Sequence, residues 1–408
     1  MRVTVPLSPS SSINWHALHD HAEFLFRRIA DRDRSLLFVE ALYDVQRPQF
    51  ADHCANEWYF GHLLYELKDQ LEPALDPGST VHGSPLEKWS VARWVIEWTA
   101  GGCFLHAFRN DLEEGERFCQ QLFSDPIRMK GGSEISWRTV FTREEYLDRA
   151  NGLLMHIQRG DIYEVNFCTE RRADAIGFDP YGSFAKLLER TDARFAAFHR
   201  LGEKFALCAS PERFLSFDRG NVIAQPMKGT RPRSQDPIAD RELAQELASD
   251  PKERSENIMA LDVMRHDLSK IAASATVKVK ELCAVQQHRN VHQMISTITA
   301  NIKEGFTPID VVHACFPMAS MTGAPKFRAM QLIDKAEQRS RGLFSGSLGF
   351  FAPDGSADLN VVIRTVLHDA TTGKCSLFTG SALTAQCDPQ KEWEECELKA
   401  RSVINALK

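Results

Sequence analysis

Several common sequence signals are missing from this chain of 408 residues. No stretch approaches the roughly 20 consecutive apolar residues of a membrane-spanning helix, so we expect no membrane partner. The opening sequence MRVTVPLSPSSSINW lacks the apolar segment of a secretory signal. The net charge is −6, which gives no general attraction to nucleic acid, so no nucleic-acid partner is expected.

The ten cysteines are scattered and never form a C-x-x-C pair. This absence argues against a zinc ribbon or a dithiol redox centre. Cysteines distributed in this way are usually small buried side chains in a reducing compartment. We therefore expect a cytoplasmic protein.

What is present predicts a globular α+β protein. Hydrophobic residues make up 43% of the chain and charged residues 25%, both ordinary values for such proteins. Strand-like segments rich in β-branched and aromatic residues occur in runs, and so do helical segments, whereas a doubly wound sheet needs strict alternation. The polar, glycine-containing stretch at 125–137 is a candidate linker.

Helix boundaries can be predicted at three places. Thr142 and Glu145 form a capping box before apolar residues at helical spacing, which predicts that a helix begins there. The Asp-Pro pair at 250–251 separates two helices, and the Asp-Pro pair at 388–389 opens a last helix. The segment DLNVVIRTVLH is predicted to form one strand.

Two pairs of carboxylates are candidates for a metal site. Glu253 and Glu256 are three positions apart on one predicted helix, and Glu392 and Glu395 have the same spacing on the last helix. Residues three apart lie on one face of a helix. If the two faces meet, they form an oxygen-rich site of the kind that Mg²⁺ prefers. Glutamates at this spacing are also common on solvated surfaces, so the spacing alone leaves both interpretations open.

The segment QPMKGTRPR at 225–233 places Lys228 between a proline and a glycine, with Arg231 and Arg233 nearby. It is either a solvated basic loop or a site that holds an amine for a reaction. Lysine is a nucleophile only as the neutral amine. For the second interpretation we predict that partial burial and neighbouring cations, with Arg231 and Arg233 as candidates, lower the pKa of Lys228.

Three further features each have a functional and a structural interpretation. Thr322 and Gly323 lie in SMTGAPKFR at a predicted helix start, where free amides could bind an anion or simply cap the helix. Arg364 lies in an apolar predicted strand and needs a partner, either a bound carboxylate or a structural acid. Glu212 could act as a general acid if burial raises its pKa, or could pair with a nearby cation.

Nine segments together resemble the chorismate-utilising enzymes, which include anthranilate synthase component I, aminodeoxychorismate synthase component I and the isochorismate and salicylate synthases. The segments occur in the family's order and cover 143–408. They are GDIYEVNF, SPERFLS, PMKGTRPR, ERSENIMALDVMRHDL, VHQMIST, FPMASMTGAPKFRAM, RGLFSGSLGFF, VVIRT and DPQKEWEECELKA. Residues 1–140 match only loosely, and we predict one interlocked body with its catalytic region at 141–408.

The resemblance implies a fold and a cofactor. The family's fold is a sandwich of two mainly antiparallel sheets with helices outside. Its Mg²⁺ is held by glutamates from two helices, which by motif position are similar to Glu256 and Glu395, with Glu253 and Glu392 in support. In the family this ion neutralises the ring carboxylate of chorismate.

The resemblance also implies a substrate site. Arg364 and Lys399 match residues that hold the two carboxylate ends of chorismate, and Thr322 and Gly323 match an anion-binding turn. Further matching positions on the substrate side are Gly380, Gln293 and Thr230.

Lys228 stands where anthranilate synthases have alanine, as in the aminodeoxychorismate synthase component I branch. In that branch the lysine attacks C2 of chorismate while the 4-hydroxyl leaves, and ammonia then enters at C4 and expels the lysine. The resemblance assigns protonation of the departing hydroxyl to Glu212. No G-x-C-x-G glutaminase motif is present, so ammonia is expected from solution or from a glutamine amidotransferase partner subunit.

Some positions depart from the family pattern. Glu164 replaces the glutamine usual in amine-adding members, Phe344 a tyrosine, Ala382 a glycine and Gln386 an aspartate. Two alternatives to amination at C4 therefore stay open at this point. The chain could be an anthranilate synthase component I, or a weakly active homologue that binds chorismate.

Overall fold

The computed structural model describes residues 1–9, 12–45, 57–75, 83–125, 135–191, 193–289 and 291–408. Most of the candidate linker at 125–137 lies outside these residues. The described strands are β1 (Arg2–Leu7), β2 (Glu23–Ile29), β3 (Arg34–Asp44), β4 (Tyr59–Leu63), β5 (Glu87–Thr99), β6 (Gly102–Phe108), β7 (Arg138–Thr139), β8 (Glu164–Asp174), β9 (Ala197–Leu201), β10 (Lys204–Cys208), β11 (Arg213–Asp218), β12 (Asn221–Ala224), β13 (Met227–Pro232), β14 (Lys278–Gln287), β15 (Val291–Asn301), β16 (Gly323–Ala324), β17 (Ser347–Phe351), β18 (Ala357–Asn360), β19 (Thr365–Asp369) and β20 (Lys374–Thr384).

The described α-helices are α1 (Lys68–Leu71), α2 (Leu112–Leu122), α3 (Arg143–Gln158), α4 (Pro180–Arg190), α5 (Pro237–Ser249), α6 (Pro251–Ser269), α7 (Pro308–Cys315), α8 (Lys326–Glu337) and α9 (Pro389–Leu407). Within the described ranges, no helix combines the length and the apolarity that crossing a membrane requires.

The strands form two antiparallel layers that share the long strand β5. One layer runs β5–β4–β17–β18–β11–β12–β15, with β13 and β14 paired to β15. The other runs β6–β5–β3–β2–β9–β10–β19–β20–β8. Each layer combines strands from 1–140 with strands from 141–408. The predicted α+β fold with two mainly antiparallel sheets is confirmed.

The space between the layers is filled by apolar side chains and a buried ion network. Phe38 and Phe350, from different layers, lie with ring centroids 5.5 Å apart. Arg27 on β2 and Arg213 on β11 both donate to Asp358 on β18, at 2.6 and 2.7 Å. These contacts hold the layers in register, because a misplaced layer would leave the buried charges unpaired.

Local capping signals in the sequence are confirmed. The amide of Glu145 donates to Thr142 Oγ1 at 3.2 Å, and the amide of Thr142 donates to Glu145 Oε2 at 2.8 Å. Helix α6 begins directly after Asp250 and helix α9 directly after Asp388, each with its aspartate as the N-cap. Helical starts depend on contacts within four residues, which a single sequence contains.

The prediction of one strand over DLNVVIRTVLH is wrong. Strand β18 ends at Asn360 and strand β19 begins at Thr365. The chain crosses from one layer to the other between them, and Arg364 has a left-handed backbone with φ of 51°. Because β-propensity does not reveal the layer to which a residue belongs, the crossing could not be predicted from the residue pattern.

Candidate active site

Lys228 and Glu164 form the centre of the candidate site. Lys228 lies on β13 and Glu164 is the first residue of β8. Lys228 Nζ donates to Glu164 Oε1 at 2.7 Å, and only 11% of the lysine side chain is exposed. A buried carboxylate therefore holds the buried Lys228 amine in place. A lysine in a solvated loop would not be fixed in this way.

The prediction that neighbouring cations lower the pKa of Lys228 is wrong. Burial alone lowers this pKa, but the charges of Glu164 and Glu256 outweigh burial and raise it above its ordinary value. Arg231 instead pairs with Asp250 at 2.8 Å, and Arg233 pairs with an aspartate of its own on α5. The two arginines are close to Lys228 in sequence, but acids of their own neutralise them.

Glu212 is buried beside this pair. Burial raises the pKa of Glu212 to about 7, although the Ser320 hydroxyl, the Lys228 ammonium and the Met227 amide act in the opposite direction. The carboxyl is consequently part protonated near neutral pH, which is the state that a general acid requires.

The two predicted glutamate pairs lie on helices that face each other. Lys252 on α6 bridges them, because its Nζ lies 3.2 Å from Glu392 Oε1 and 3.8 Å from Glu256 Oε1. At the ends of the group, Glu253 contacts Arg231 at 3.4 Å and Glu395 pairs with Lys399. Our sequence reasoning missed Lys252, although its position four residues before Glu256 is the spacing of a helical ion pair.

The donor set fits Mg²⁺. No three acidic, imidazole or thiol side chains among the described residues already form a metal cluster, and the ammonium of Lys252 lies between the two helices. Glu256 Oε1, however, is buried without a hydrogen-bond partner. Burial raises the pKa of Glu256 to about 7 and also raises that of Glu392. A nearby cation would stabilise the ionised form of these buried carboxylates. Their hard oxygen donors are the ligands that magnesium prefers.

Arg364 is mostly buried and has no direct acidic partner among the described residues. No described acidic side chain forms an ion pair with its guanidinium within 4 Å, and Glu212 and Glu395 act on it only as more distant charges. Burial lowers the pKa of Arg364, and the more distant charges of Glu212 and Glu395 only partly oppose this effect. A mostly buried cation of this kind can be stabilised by a ligand anion.

The helix start predicted within SMTGAPKFR is confirmed by α8, whose N-cap is Pro325, but Thr322 and Gly323 lie before its first turn. They precede α8, which begins at Lys326, and Gly323 pairs with Val165 in the short strand β16. The Thr322 hydroxyl donates to the Met318 carbonyl at 3.0 Å. A side chain on Gly323 would clash with the Glu164 carbonyl, so glycine is required for the backbone to approach β8.

The remaining predicted residues form two contacts around the centre. Lys399 Nζ donates to the Gly380 carbonyl at 2.8 Å and pairs with Glu395 at 2.6 Å. Gln293 Nε2 donates to Thr230 Oγ1 at 3.1 Å, across the β13–β15 pairing. The first contact links α9 to β20, and the second lies two residues after Lys228 on β13.

Two of the positions that depart from the family pattern are packed into the core. Phe344 is buried and stacks on Phe378 with ring centroids 5.1 Å apart. Ala382 is buried on β20 opposite Asn166. A cavity of about 510 Å³ lies elsewhere in the described structure, and none of the predicted site residues lines it.

Comparison with known proteins gives a family for this arrangement. The family model described as chorismate binding enzyme matches residues 16–405. Aminodeoxychorismate synthase component 1 of Salmonella typhimurium is 37% identical over 282 residues, which are 69% of this chain and 62% of that protein. Chloroplastic aminodeoxychorismate synthase of Arabidopsis thaliana is 38% identical over 286 residues, which are 69% of this chain and 31% of that protein. Anthranilate synthase component 1 of Thermus thermophilus is 34% identical over 307 residues, 73% of this chain and 65% of that protein.

The matched part of the chain spans between 31% and 65% of the length of these three relatives.

Two solved structures share the fold. MenF, the menaquinone-specific isochorismate synthase of Escherichia coli, has a TM-score of 0.82 at 17% identity and covers 100% of this chain and 94% of its own. Anthranilate synthase component I of Streptococcus pneumoniae has a TM-score of 0.78 at 19% identity, with 99% and 92% covered. With the family match over almost its whole length, the chain belongs to the chorismate binding enzymes.

Proposed function

We propose that this protein aminates chorismate at C4 with ammonia and produces 4-amino-4-deoxychorismate, the role of aminodeoxychorismate synthase component I in 4-aminobenzoate and folate synthesis. The observation that carries the proposal is the buried Lys228 amine, hydrogen-bonded to Glu164 at 2.7 Å. The name of the Salmonella relative supports the same activity.

The reaction begins with proton transfer. The raised pKa of Lys228 means that the resting amine is protonated, and Glu164 is the carboxylate within reach of its proton. The neutral amine forms a bond to C2 of chorismate, the ring double bonds shift, and the 4-hydroxyl leaves as water after it receives a proton from Glu212.

Ammonia then forms a bond to C4 while the bond between C2 and Lys228 breaks, and the double bonds return to their first positions. The lysine is regenerated and the new nitrogen stands on the carbon that lost oxygen. Overall, chorismate and ammonia give 4-amino-4-deoxychorismate and water, with no oxidant or reductant required.

The substrate is held by groups around the amine. Arg364 and Lys399 bind the two carboxylates of chorismate, and the lack of an acid paired with Arg364 supports its part in this role. Contacts to the rest of the substrate come from the chain segments that converge there. The residues in this group are Thr322, Gly323, Gly380, Gln293 and Thr230.

Mg²⁺ would be held directly by Glu256 and Glu395, with Glu253 and Glu392 in support. When bound, the ion would neutralise the ring carboxylate of the substrate. The buried and unpartnered Glu256 Oε1 supports this assignment.

The ammonia is supplied by a glutamine amidotransferase subunit in the cytoplasm. The printed name "component 1" of the Salmonella and Escherichia coli relatives supports a second subunit. Free ammonium should replace that subunit in a test tube, since the chemistry at Lys228 uses ammonia itself.

A product assay tests the proposal. The purified protein is incubated with chorismate, Mg²⁺ and ammonium, and the products are identified by mass spectrometry and fluorescence. We expect aminodeoxychorismate. Anthranilate with pyruvate would instead identify an anthranilate synthase, and binding of chorismate without turnover would identify a weakly active homologue.

A further inference from the structure

Strand β13 contains one extra residue at the position of Lys228. Met227 lies opposite Ile295 on β15, and Thr230 lies opposite Gln293. Three steps along β13 therefore match two steps along β15, which is the pattern of a β-bulge. Bulges are common next to active sites, where they redirect a side chain. This one includes the nucleophile of the proposed reaction.

Gly229, the second residue of the bulge, is in a conformation that favours glycine. Its φ is 84°, in the left-handed region. A Cβ atom at this position would lie 3.0 Å from Glu253 Oε2 and 3.1 Å from Leu247 Cδ1, closer than the roughly 3.5 to 4.0 Å of ordinary contacts. Leu247 is fully buried on α5 and has little room to move. Both the backbone and the surroundings therefore disfavour a side chain at 229.

The chain is fixed on either side of the bulge. Before it, the Pro226 carbonyl accepts from the Ser296 amide at 3.2 Å. After it, Thr230 Oγ1 accepts from Gln293 Nε2 at 3.1 Å. Because both flanks are bonded to β15, the conformation of the bulge sets the direction in which the Lys228 side chain leaves the strand.

That direction takes the amine from one layer of the fold to the other. Lys228 Nζ donates to Glu164 Oε1 on β8 at 2.7 Å, and 11% of the lysine side chain is exposed. A rotation of the backbone at the bulge would be amplified along this long side chain. An attacking atom has to lie within about 3 to 3.5 Å of its target carbon, and a misplacement of about 1 Å can cost a factor of about 100 in rate.

We propose that Gly229 is a positioning residue for the Lys228 amine. It allows the left-handed turn of the bulge, and this turn aims the amine at Glu164 and at the ring of the substrate. Gly229 acts through Lys228 and has no chemical part of its own. The expected effect on rate rests on the proposed function, but the position of the amine can be measured without substrate.

The Gly229→Ala variant tests the effect on rate. Its kcat for aminodeoxychorismate, measured by mass spectrometry, should fall about 100-fold because the amine is displaced from the ring. The affinity for chorismate, measured by calorimetry, should change little, since the groups proposed to hold the substrate are kept. An unchanged kcat, or a loss confined to chorismate binding, would overturn the proposal.

Exchange of the Lys228 ammonium protons with water, followed by ¹⁵N spectra without substrate, tests the position itself. The wild-type ammonium should exchange more slowly than those of exposed lysines, and Gly229→Ala should speed this exchange. Fast exchange in the wild type, or equal exchange in the two proteins, would overturn the proposal. If Gly229→Ala does not fold, Gly229→Asn replaces it under the same criteria, because asparagine tolerates a left-handed backbone better than alanine. Altered exchange in a protein whose wild type makes no aminodeoxychorismate would reject the reaction and keep the positioning role.

Gly220→Ala is the matched control. Gly220 has a φ of 83° in the turn between β11 and β12, and a Cβ atom there would have no described heavy atom within 4 Å apart from its chain neighbours. The control therefore adds the same backbone strain without touching the bulge, and its kcat and Lys228 exchange should match the wild type. An equal loss of kcat in both variants would mean that strain, and not the position of the amine, lowers the rate, and would refute the role of Gly229.

Discussion

Asp358 between the layers and Glu256 at the candidate active site are both buried carboxylates, but their oxygens have different partners. Asp358 Oδ1 accepts from Arg27 and Oδ2 accepts from Arg213. Glu256 Oε1 has no hydrogen-bond partner, and the nearest ammonium is Lys252 at 3.8 Å. Burial costs both groups hydration, yet only Asp358 regains equivalent contacts from the protein.

The difference separates structural charges from functional ones. Both oxygens of Asp358 have a direct cationic partner, and Arg213 also donates to both oxygens of Asp31 at 2.6 and 2.8 Å, although Arg27 Nε is buried without a partner. The group around Lys228 is incomplete, because Glu256 and Arg364 lack the direct partners that burial normally demands. The rest of the fold must offset the cost of burying these groups without direct partners. A bound substrate and a bound metal would supply the missing partners.

The largest expected effect tests the functional side of this comparison. Replacing Lys228 with alanine should reduce the formation of aminodeoxychorismate by at least about a thousandfold, because the variant has no amine to attack C2. Lys228→Arg keeps the positive charge and should be as inactive. The measurement is product formation by mass spectrometry, with the exposed Lys303→Ala as the control, and substantial turnover in either Lys228 variant would refute the nucleophilic role.

The next effect tests the structural side. Asp358→Ala leaves two buried arginines without their shared acid and should lower the free energy of unfolding by about 3 to 5 kcal/mol. Glu256→Gln, in contrast, removes a buried charge that lacks a partner and should leave stability equal or higher in metal-free buffer. Urea unfolding curves measure both variants. Equal losses for the two would show that the distinction between complete and incomplete groups is wrong.

The third effect is the pH dependence that Glu212 contributes. Its pKa is about 7 in the folded protein and ordinarily about 4.5, so the folded state binds the proton more tightly. Stability from this group is present below pH 4.5 and is lost as the pH rises to 7. Glu212→Gln should therefore gain about 3 kcal/mol relative to the wild type between pH 4.5 and pH 8. Unfolding curves across this range measure the gain, and Glu304→Gln, at an exposed position, should show none; a constant difference for Glu212→Gln would refute the raised pKa.

The parts of the fold that depend on near neighbours could be predicted from the sequence. The capping box of Thr142 and Glu145 and the aspartate caps at 250 and 388 need only four residues each. The layer crossing at 361–364 could not be predicted, because apolar β-branched residues have the same pattern on either layer. The pair of His62 and His199 is likewise invisible in the sequence, since the two side chains that meet across the layers are 137 positions apart in the chain.

For the candidate site, the sequence identified residue types better than their environments. The spacing of Glu253 with Glu256 and of Glu392 with Glu395 indicated two acidic helix faces, and the structure brings Glu256 and Glu392 together around Lys252. Charge near Lys228 was inferred from adjacent arginines, which have acids of their own in three dimensions. A pKa depends on neighbours in space, and a single sequence shows only neighbours along the chain.

The smallest effect concerns Lys252, whose ammonium lies between the two acidic faces. Lys252→Met keeps most of the side-chain length and removes the charge that competes with a divalent cation for Glu256 and Glu392. The affinity for Mg²⁺, measured by calorimetry without substrate, should rise about threefold to tenfold, an effect kept modest because the lysine is 41% exposed and screened by water. Lys391→Met, an exposed change on α9, should alter the affinity less. An unchanged or weaker affinity in Lys252→Met would mean that the lysine does not occupy the place of the metal, and that the incomplete group around Glu256 is completed by something other than a divalent cation.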